Sequence, residues 1–242
     1  MALDTFYHSQ NQQGLQGEGN IEIKDMAILS LLSKVKISGR ILDVGCAGGS
    51  FADKYLSAKN SNIFGIDVSE EAVQTARKRN IRIVKGNIDI SRIPYKDSSF
   101  GLVIFSEVIE HLVNPDSALA DLHRILNRDG GYLLIATPNL ASWYNRFLLL
   151  FGMQPLFTDI SLKYSYGRFF SVCPSGHLRL YTYKALVFLL EKYGFKTVYS
   201  RGIGVNPALG YGKKLGLFCK ITNFIFRGPS LNSGICILAK KI

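Results

Sequence analysis

The chain has 242 residues, 47% hydrophobic and 19% charged, with a mean hydropathy of +0.12, which suits one globular domain with a full core and excludes a disordered tail or a disulfide-stapled miniprotein. Its net charge of +11 is unevenly spread: residues 1–139 carry 15 basic and 16 acidic side chains, whereas residues 140–242 carry 14 and 2. A basic half of this kind attracts phosphates, anionic lipid or nucleic acid without choosing among them. Cys46, Cys173, Cys219 and Cys236 form no C-x-x-C pair, so neither a zinc knuckle nor a disulfide framework is expected, and a reducing, cytoplasmic setting is the default. The polar stretch 1–20 has no basic region ahead of an apolar run, which argues against a secretory signal, and the longest apolar run, 147–153, is too short to span a bilayer.

In chain order, residues 1–36 are expected to form a helical cover ahead of a core at 37–139. Within that core, short apolar runs rich in Ile, Val, Leu and Phe predict strands at 40–44, 62–66, 81–84, 100–105 and 131–136. Helices are predicted between them. Ser69, Glu70 and Glu71 start one that runs to Arg79, with acids in its first turn and bases in its last. Asn114, Pro115 and Asp116 open another through Leu126, and Asp129-Gly130-Gly131 turns the chain into the next strand. Strands alternating with helices imply an α/β fold with a parallel sheet covered on both faces.

After Asn139 the pattern changes. An aromatic-rich helix is predicted at 141–152, then an irregular stretch rich in Tyr and Phe, a helix at 182–193 stopped by Gly194, and late strands at 195–200 and 234–239. A long non-periodic run inside a domain is usually functional, so 140–181 is expected to be a lid or substrate-recognition segment, with 182–242 returning to the same domain.

The strongest chemical signal runs from Ile41 to Phe51, an apolar strand entering a glycine turn at Gly45, Cys46, Ala47, Gly48 and Gly49, and then a helix. Glycines let a ligand touch the backbone, and a helix start offers unpaired N–H groups. No Gly-Lys-Ser/Thr follows, which excludes a phosphate-binding P-loop, and the glycine spacing does not match the dinucleotide G-x-G-x-x-G. Asp43, just before the turn, would sit close to a ligand and favour a cationic one. Asp67 ends the next strand 22 residues beyond Gly45, a place where an acid can accept both hydroxyls of a ribose.

This pair of segments resembles motifs I and II of the class I S-adenosylmethionine-dependent methyltransferases. The stretches from Ser98-Ser99-Phe100 to Leu112 and from Gly130-Gly131-Tyr132 to Asn139 are similar to that family's fourth and fifth strand signatures, and the likeness runs toward the type 11 and ubiquinone-biosynthesis O-methyltransferase-like group. The resemblance implies a Rossmann-like, seven-stranded, mostly parallel sheet with helices on both faces and a lid insertion. It further implies that Gly45, Cys46, Ala47 and Gly48 surround the methionine part of S-adenosylmethionine, Asp67 and Val68 the ribose, Asn87, Ile88 and Asp89 the adenine, and Ser106 the sulfonium side. Two positions depart from the family: Asn87 stands where Asp is usual, leaving the adenine amino group to Asn87 or Asp89, and Gly101 stands where Asp commonly follows the aromatic.

Methyl transfer is an in-line displacement in which alignment carries much of the rate, and a hydroxyl acceptor also needs a base. His111, just past the fourth strand, and His177, ahead of the 182–193 helix, are the candidates, with Glu107 beside them; His8 and His123 read as surface residues. Glu107, Glu110 and His111 come together if their segment turns helically, and His177 would complete a divalent-metal set for Mg²⁺, Mn²⁺ or Zn²⁺. The same E-x-x-E-H pattern resembles that of ubiquinone-biosynthesis O-methyltransferases and of small-RNA 3′-terminal 2′-O-methyltransferases, and it also occurs in class I methyltransferases for which no metal is implied.

In the second half, residues 142–153 place Trp143, Tyr144 and Arg146 beside an apolar run, which reads as a core or cap helix before a substrate or membrane contact. Residues 213–227 alternate basic and apolar-aromatic side chains and, if helical, could lie on an anionic membrane surface or cover the substrate. Tyr164, Tyr166, Phe169, Phe170, Tyr181 and Tyr183, with Arg168 and Arg179, suit a lid over a hydrophobic acceptor better than a platform for RNA bases. The first expectation is therefore O-methylation of a small-molecule, lipid-linked or glycan acceptor. The alternatives are metal-assisted 2′-O-methylation of an RNA 3′ end and a non-catalytic cofactor-binding or membrane-docking module.

Overall fold

The computed structural model describes residues 23–56, 62–161, 163–164, 175–205 and 212–242, with backbone alone for 212–216. The elements run α1 (Ile23–Leu32), β1 (Ile41–Val44), α2 (Ser50–Tyr55), β2 (Ile63–Asp67), α3 (Glu70–Lys78), β3 (Arg82–Lys85), β4 (Leu102–Ser106), a 3₁₀ turn (Ile109–His111), α4 (Pro115–Ile125), β5 (Tyr132–Pro138), α5 (Trp143–Leu150), α6 (Tyr183–Lys192), β6 (Phe195–Ile203), α7 (Gly212–Ile225) and β7 (Gly234–Lys241).

The strands form one seven-stranded sheet in the order β3-β2-β1-β4-β5-β7-β6. β3, β2, β1, β4 and β5 pair in parallel, and β7 enters antiparallel between β5 and β6. Connections leave β1 toward β2 on one side and return to β4 on the other, so the sheet reverses its winding between β1 and β4. In such sheets ligands bind beyond the carboxyl ends of the strands at this switch point.

Period-two alternation sorts the strand residues onto two faces. Leu42, Val44, Val103, Phe105, Leu133 and Ile135 pack with α4 and α6 on one face. Ile41, Leu102, Ile104, Leu134 and Ala136 pack with α1 and α3 on the other. The helix starts read at Ser69 and Asn114 form as caps, Ser69 Oγ accepting from Ala72 N–H (3.3 Å) and Asn114 Oδ1 from Ser117 N–H (3.0 Å), and Thr182 Oγ1, not singled out in the sequence, likewise accepts from Ala185 N–H (3.2 Å).

Gly101, the departure in the fourth-strand signature, has a steric cause. A Cβ there would lie 1.8 Å from the carbonyl oxygen of Ser38, so only glycine lets the two backbones pass.

The stretch after β5 leaves and rejoins the sheet at one place, since Asn139 and Tyr181 pair as an isolated bridge. Of the aromatics expected in a lid, Tyr181 and Tyr183 belong to the core on the α4 and α6 face instead. Tyr166, Arg168, Phe169 and Phe170 lie outside the described residues, as do His8, Cys173 and most of the expected helical cover. Among the described residues no helix is long and apolar enough to cross a membrane.

Candidate active site

The carboxyl ends of β1, β2 and β4 open into a cavity of about 240 Å³. Gly45 and Ala47 from the first turn, Asp67 and Val68 from the end of β2, Asn87 and Ile88 after β3, and Ser106, Glu107 and His111 after β4 all line it. The structure thus collects these predicted residues on one wall system.

Backbone geometry explains the glycine turn. Gly45, Gly48 and Gly49 adopt φ values of +70°, +87° and +77°, the left-handed region that glycine enters without strain. A Cβ on Gly45 would reach 2.5 Å from Val108 Cγ2, on the cavity wall. The turn is then tied to β2: Ala47 N–H donates to Asp67 Oδ2 and Ser69 N–H to Asp67 Oδ1, both at 2.9 Å. Arg79 Nη1 donates to the Gly48 carbonyl at 2.8 Å and steadies the far side.

Four residues expected around the cofactor do not line the cavity. Asp43 is buried on the α1 face of the sheet, beneath the turn, because strand alternation points it away from the opening. Burial, the neighbouring Asp67 and more weakly Asp25 raise its carboxyl to about 7, against a lowering contribution from Lys24. Cys46 is buried as well, and burial followed by Asp43 and Asp67 drives its thiol far above the ordinary range, so it is no nucleophile at neutral pH. Gly48 serves the turn rather than the cavity wall. Asp89 accepts from Val113 N–H (2.9 Å) and Asn114 N–H (2.7 Å), which commits its carboxylate to the entry of α4. Asn87 lines the cavity in its place and accepts from Asp89 N–H through Oδ1 at 3.0 Å.

Lys24, from α1, also lines the cavity. No motif marks it, since a lysine on an amphipathic helix is ordinarily a solvated charge; only the packing of α1 across the sheet brings it there. Ser106 Oγ is buried on the cavity wall with no hydrogen-bond partner among the described residues, and such an orphaned hydroxyl suits a polar ligand.

Glu107 takes φ +57°, uncommon for a residue with a Cβ, and its N–H donates to the Ala136 carbonyl at 2.8 Å. The helical turn starts only at Ile109. Glu107 is therefore not one turn below Glu110 and His111, and it is absent from the group whose ligand atoms lie within 4.8 Å of one another, namely Glu110, His111 and His177. The four-residue metal set is corrected to three.

Those three are held by the chain segment before α6. His111 Nδ1 meets the Gly176 carbonyl at 3.0 Å and His177 Nδ1 the Phe157 carbonyl at 2.8 Å. A carbonyl only accepts, so both imidazoles present Nδ1–H to it, and in the neutral ring the lone pair then lies on Nε2. Leu178 N–H donates to the Glu110 carbonyl at 2.8 Å, and Arg179 clamps the carbonyls of Leu112 and Val113. Glu110 is fully buried: Oε2 accepts from Thr137 Oγ1 at 3.0 Å and Oε1 has no partner among the described residues. Burial and then the charge of Glu107 hold its carboxyl well above the usual range. One carboxyl with an unsatisfied oxygen and two imidazoles with Nε2 lone pairs fit Zn²⁺ or Mn²⁺ better than Mg²⁺, which prefers oxygen alone.

A methyltransferase-domain family profile matches residues 22–200. A probable S-adenosylmethionine-dependent methyltransferase of Mycolicibacterium smegmatis is 31% identical over 105 residues, 43% of this chain and 40% of that protein. A ubiquinone biosynthesis O-methyltransferase of Alkalilimnicola ehrlichii is 31% identical over 105 residues, 41% of this chain and 42% of that protein. The chain thus spans less than half the length of these curated relatives. Among solved structures, an S-adenosylmethionine-dependent methyltransferase of Archaeoglobus fulgidus superposes with a TM-score of 0.61 at 18% identity, covering 90% of this chain and 93% of that one. A possible histamine N-methyltransferase of Thermotoga maritima gives 0.60 at 20% identity, covering 91% and 90%. At such identities these structures speak for the fold alone. With the family profile over most of its length, the matching sheet and a polar cavity at the switch point, the chain belongs to the methyltransferase-domain family, whose cofactor is S-adenosylmethionine.

Proposed function

We propose that the protein transfers a methyl group from S-adenosylmethionine to a hydroxyl oxygen of a small-molecule, lipid-linked or glycan acceptor. The observation that carries this reading is the placement of His111 on the wall of the cavity that also presents Asp67, Asn87 and Ser106. When bound, S-adenosylmethionine supplies an electrophilic methyl group on a sulfonium.

Asp67, which already holds the turn, would hold the ribose side, and Asn87, whose Oδ1 accepts from Asp89 N–H, would present its amide to the adenine. Nε2 of His111 would take the proton of an acceptor hydroxyl held against this wall of the cavity, the ring being held by the Gly176 carbonyl at Nδ1. Burial lowers the pKa of His111, partly offset by the Gly176 carbonyl and by Asp159, which keeps the ring neutral and able to take a proton at pH 7.

The test is release of S-adenosylhomocysteine across a panel of phenols, hydroxylated lipids, glycans and primary amines. Turnover on hydroxyl compounds, abolished by His111→Ala, supports the reading, whereas turnover on amines alone overturns it.

A second reading, metal-assisted methylation of a terminal ribose on RNA, is favoured by the Glu110, His111 and His177 cluster. It predicts that methylation of an RNA 3′ end requires added Mn²⁺ or Zn²⁺ and stops with a chelator.

A further inference from the structure

Helices of a globular domain turn their apolar side inward. α5 and α7 do the reverse. On α7, Leu217, Phe218, Ile221, Phe224 and Ile225 are each between 48% and 66% exposed, whereas Thr222 is buried. Asn223 faces the domain, bracketing Val205 by accepting from its N–H at 2.9 Å and donating to its carbonyl at 2.8 Å. On α5, Asn145 is fully buried, accepting from Leu156 N–H at 2.8 Å, while Phe147, Leu150 and Phe151 at the helix end are 57%, 74% and 74% exposed.

Trp143 joins the two helices, stacking on Phe226 at 5.4 Å and meeting Phe218 edge-on at 6.0 Å. Their outward sides form one apolar face. An apolar groove runs into it between Trp143, Phe147, Phe151 and Leu156. Contiguous apolar surface on this scale marks an interaction site.

Charge selects the partner. No Asp or Glu occurs after Glu191, and among the described side chains the exposed cations on or beside the face are Arg146, Lys220 and Arg227, the last with its guanidinium 3.9 Å from the centre of the Phe224 ring. A second copy docking through the same face would set cations against cations, whereas a bilayer with anionic headgroups takes the apolar side chains into its acyl boundary and pairs the cations with phosphates.

We propose that α5 and α7 form a docking face for an anionic membrane surface. The face also connects to the cavity: Leu156 lines the groove, and the next residue, Phe157, holds the His177 ring through its carbonyl. Docking would therefore set the bilayer against the segment that holds the His177 ring, which favours a lipid-borne acceptor. That last step rests on the methyltransferase reading; membrane docking does not.

The experiment is co-sedimentation of the full chain with phosphatidylcholine vesicles, with and without phosphatidylglycerol, alongside sedimentation velocity in solution. Expected is binding to the anionic vesicles at least about tenfold stronger than to neutral ones, weakened by salt, since each basic side chain near such a surface multiplies partitioning about fivefold. Phe151→Ser with Phe224→Ser abolishes it, and Lys220→Glu weakens it at least about tenfold, with circular dichroism unchanged. Equal binding to both vesicles overturns the anionic assignment. No binding to either, or self-association that Phe224→Ser disrupts, overturns the proposal and assigns the face to a protein contact. Vesicle binding is read without turnover, so loss of the enzymatic reading leaves its result intact.

Discussion

His111 and His177 stand edge to face with ring centroids 4.9 Å apart, and each donates its Nδ1 proton to a backbone carbonyl on the segment that packs over the end of β4. Only His111 of the pair lines the cavity. His111→Ala is expected to lower kcat by about 100-fold or more, the usual worth of a positioned base, with cofactor affinity changed by less than about twofold. Single-turnover kinetics beside cofactor titration check this split. His177→Ala, acting through the packing of the His111 ring, is expected to cost less in kcat and to leave cofactor affinity intact.

The Asp67 carboxylate carries two backbone N–H groups before any ligand arrives. Asp67→Ala is expected to weaken S-adenosylhomocysteine binding at least about tenfold and to lower stability by about 1–3 kcal/mol, because two charge-assisted bonds are lost from a buried site. Calorimetric titration and thermal unfolding measure the two effects. Full cofactor affinity in a folded Asp67→Ala protein would falsify its place in the cofactor site.

Two glycines give a contrasting pair of outcomes. Gly45→Ala forces a residue with a Cβ to φ +70° and against Val108 Cγ2, a side chain that can move, so the expected result is a folded protein with weakened cofactor binding, partly restored by Val108→Ala. Gly101→Ala drives a methyl into the Ser38 backbone, which cannot move without breaking the entry to β1, and a loss of about 3 kcal/mol or more is expected. Urea unfolding of both variants separates the cases.

Asp43 makes stability depend on pH. Its carboxyl is raised to about 7 in the folded chain and releases its proton near 3.8 when exposed, so folding takes up a proton between these values. Stability contributed by this group is therefore lost as pH rises from about 4 to about 7 and stays lost above. Asp43→Asn is expected to stabilise the cofactor-free protein by about 2 kcal/mol at pH 8 and to change little at pH 4. Thermal unfolding across that range decides it, and an equal shift at both ends would exclude Asp43 as the source.

Most of the sheet is legible in the sequence because each strand is a short apolar run bounded by glycine or a helix cap. β2 and β5 extend past their predicted ends by one and two residues, and β6 past its by three. Gly45 and Asp67 are legible because a left-handed turn and a carboxylate that ties this turn to β2 restrict which residues serve. Glu107 is misread for a physical reason: helical spacing places it with Glu110, but its left-handed backbone breaks the helix before it forms. Lys24 and the choice between Asn87 and Asp89 depend on packing between distant segments, which periodicity does not encode. The outward apolar faces of α5 and α7 are legible only as alternatives at 142–153 and 213–227, since an inverted helix has the same period as an ordinary one and only its neighbours tell which side is in.

The strand written last in the chain is not at the margin of the sheet. β7 lies between β5 and β6, pairing with both, and Lys241 N–H donates to the Gly131 carbonyl while Ile242 N–H donates to that of Gly194. β6 has no place on β5 until β7 arrives, so a chain growing from its N-terminus leaves β6 and the backbone edge of β5 unpaired until β7 has been made. β7 thus acts as a key between two strands made before it, and until it is inserted the open edges of β5 and β6 are templates for wrong pairing.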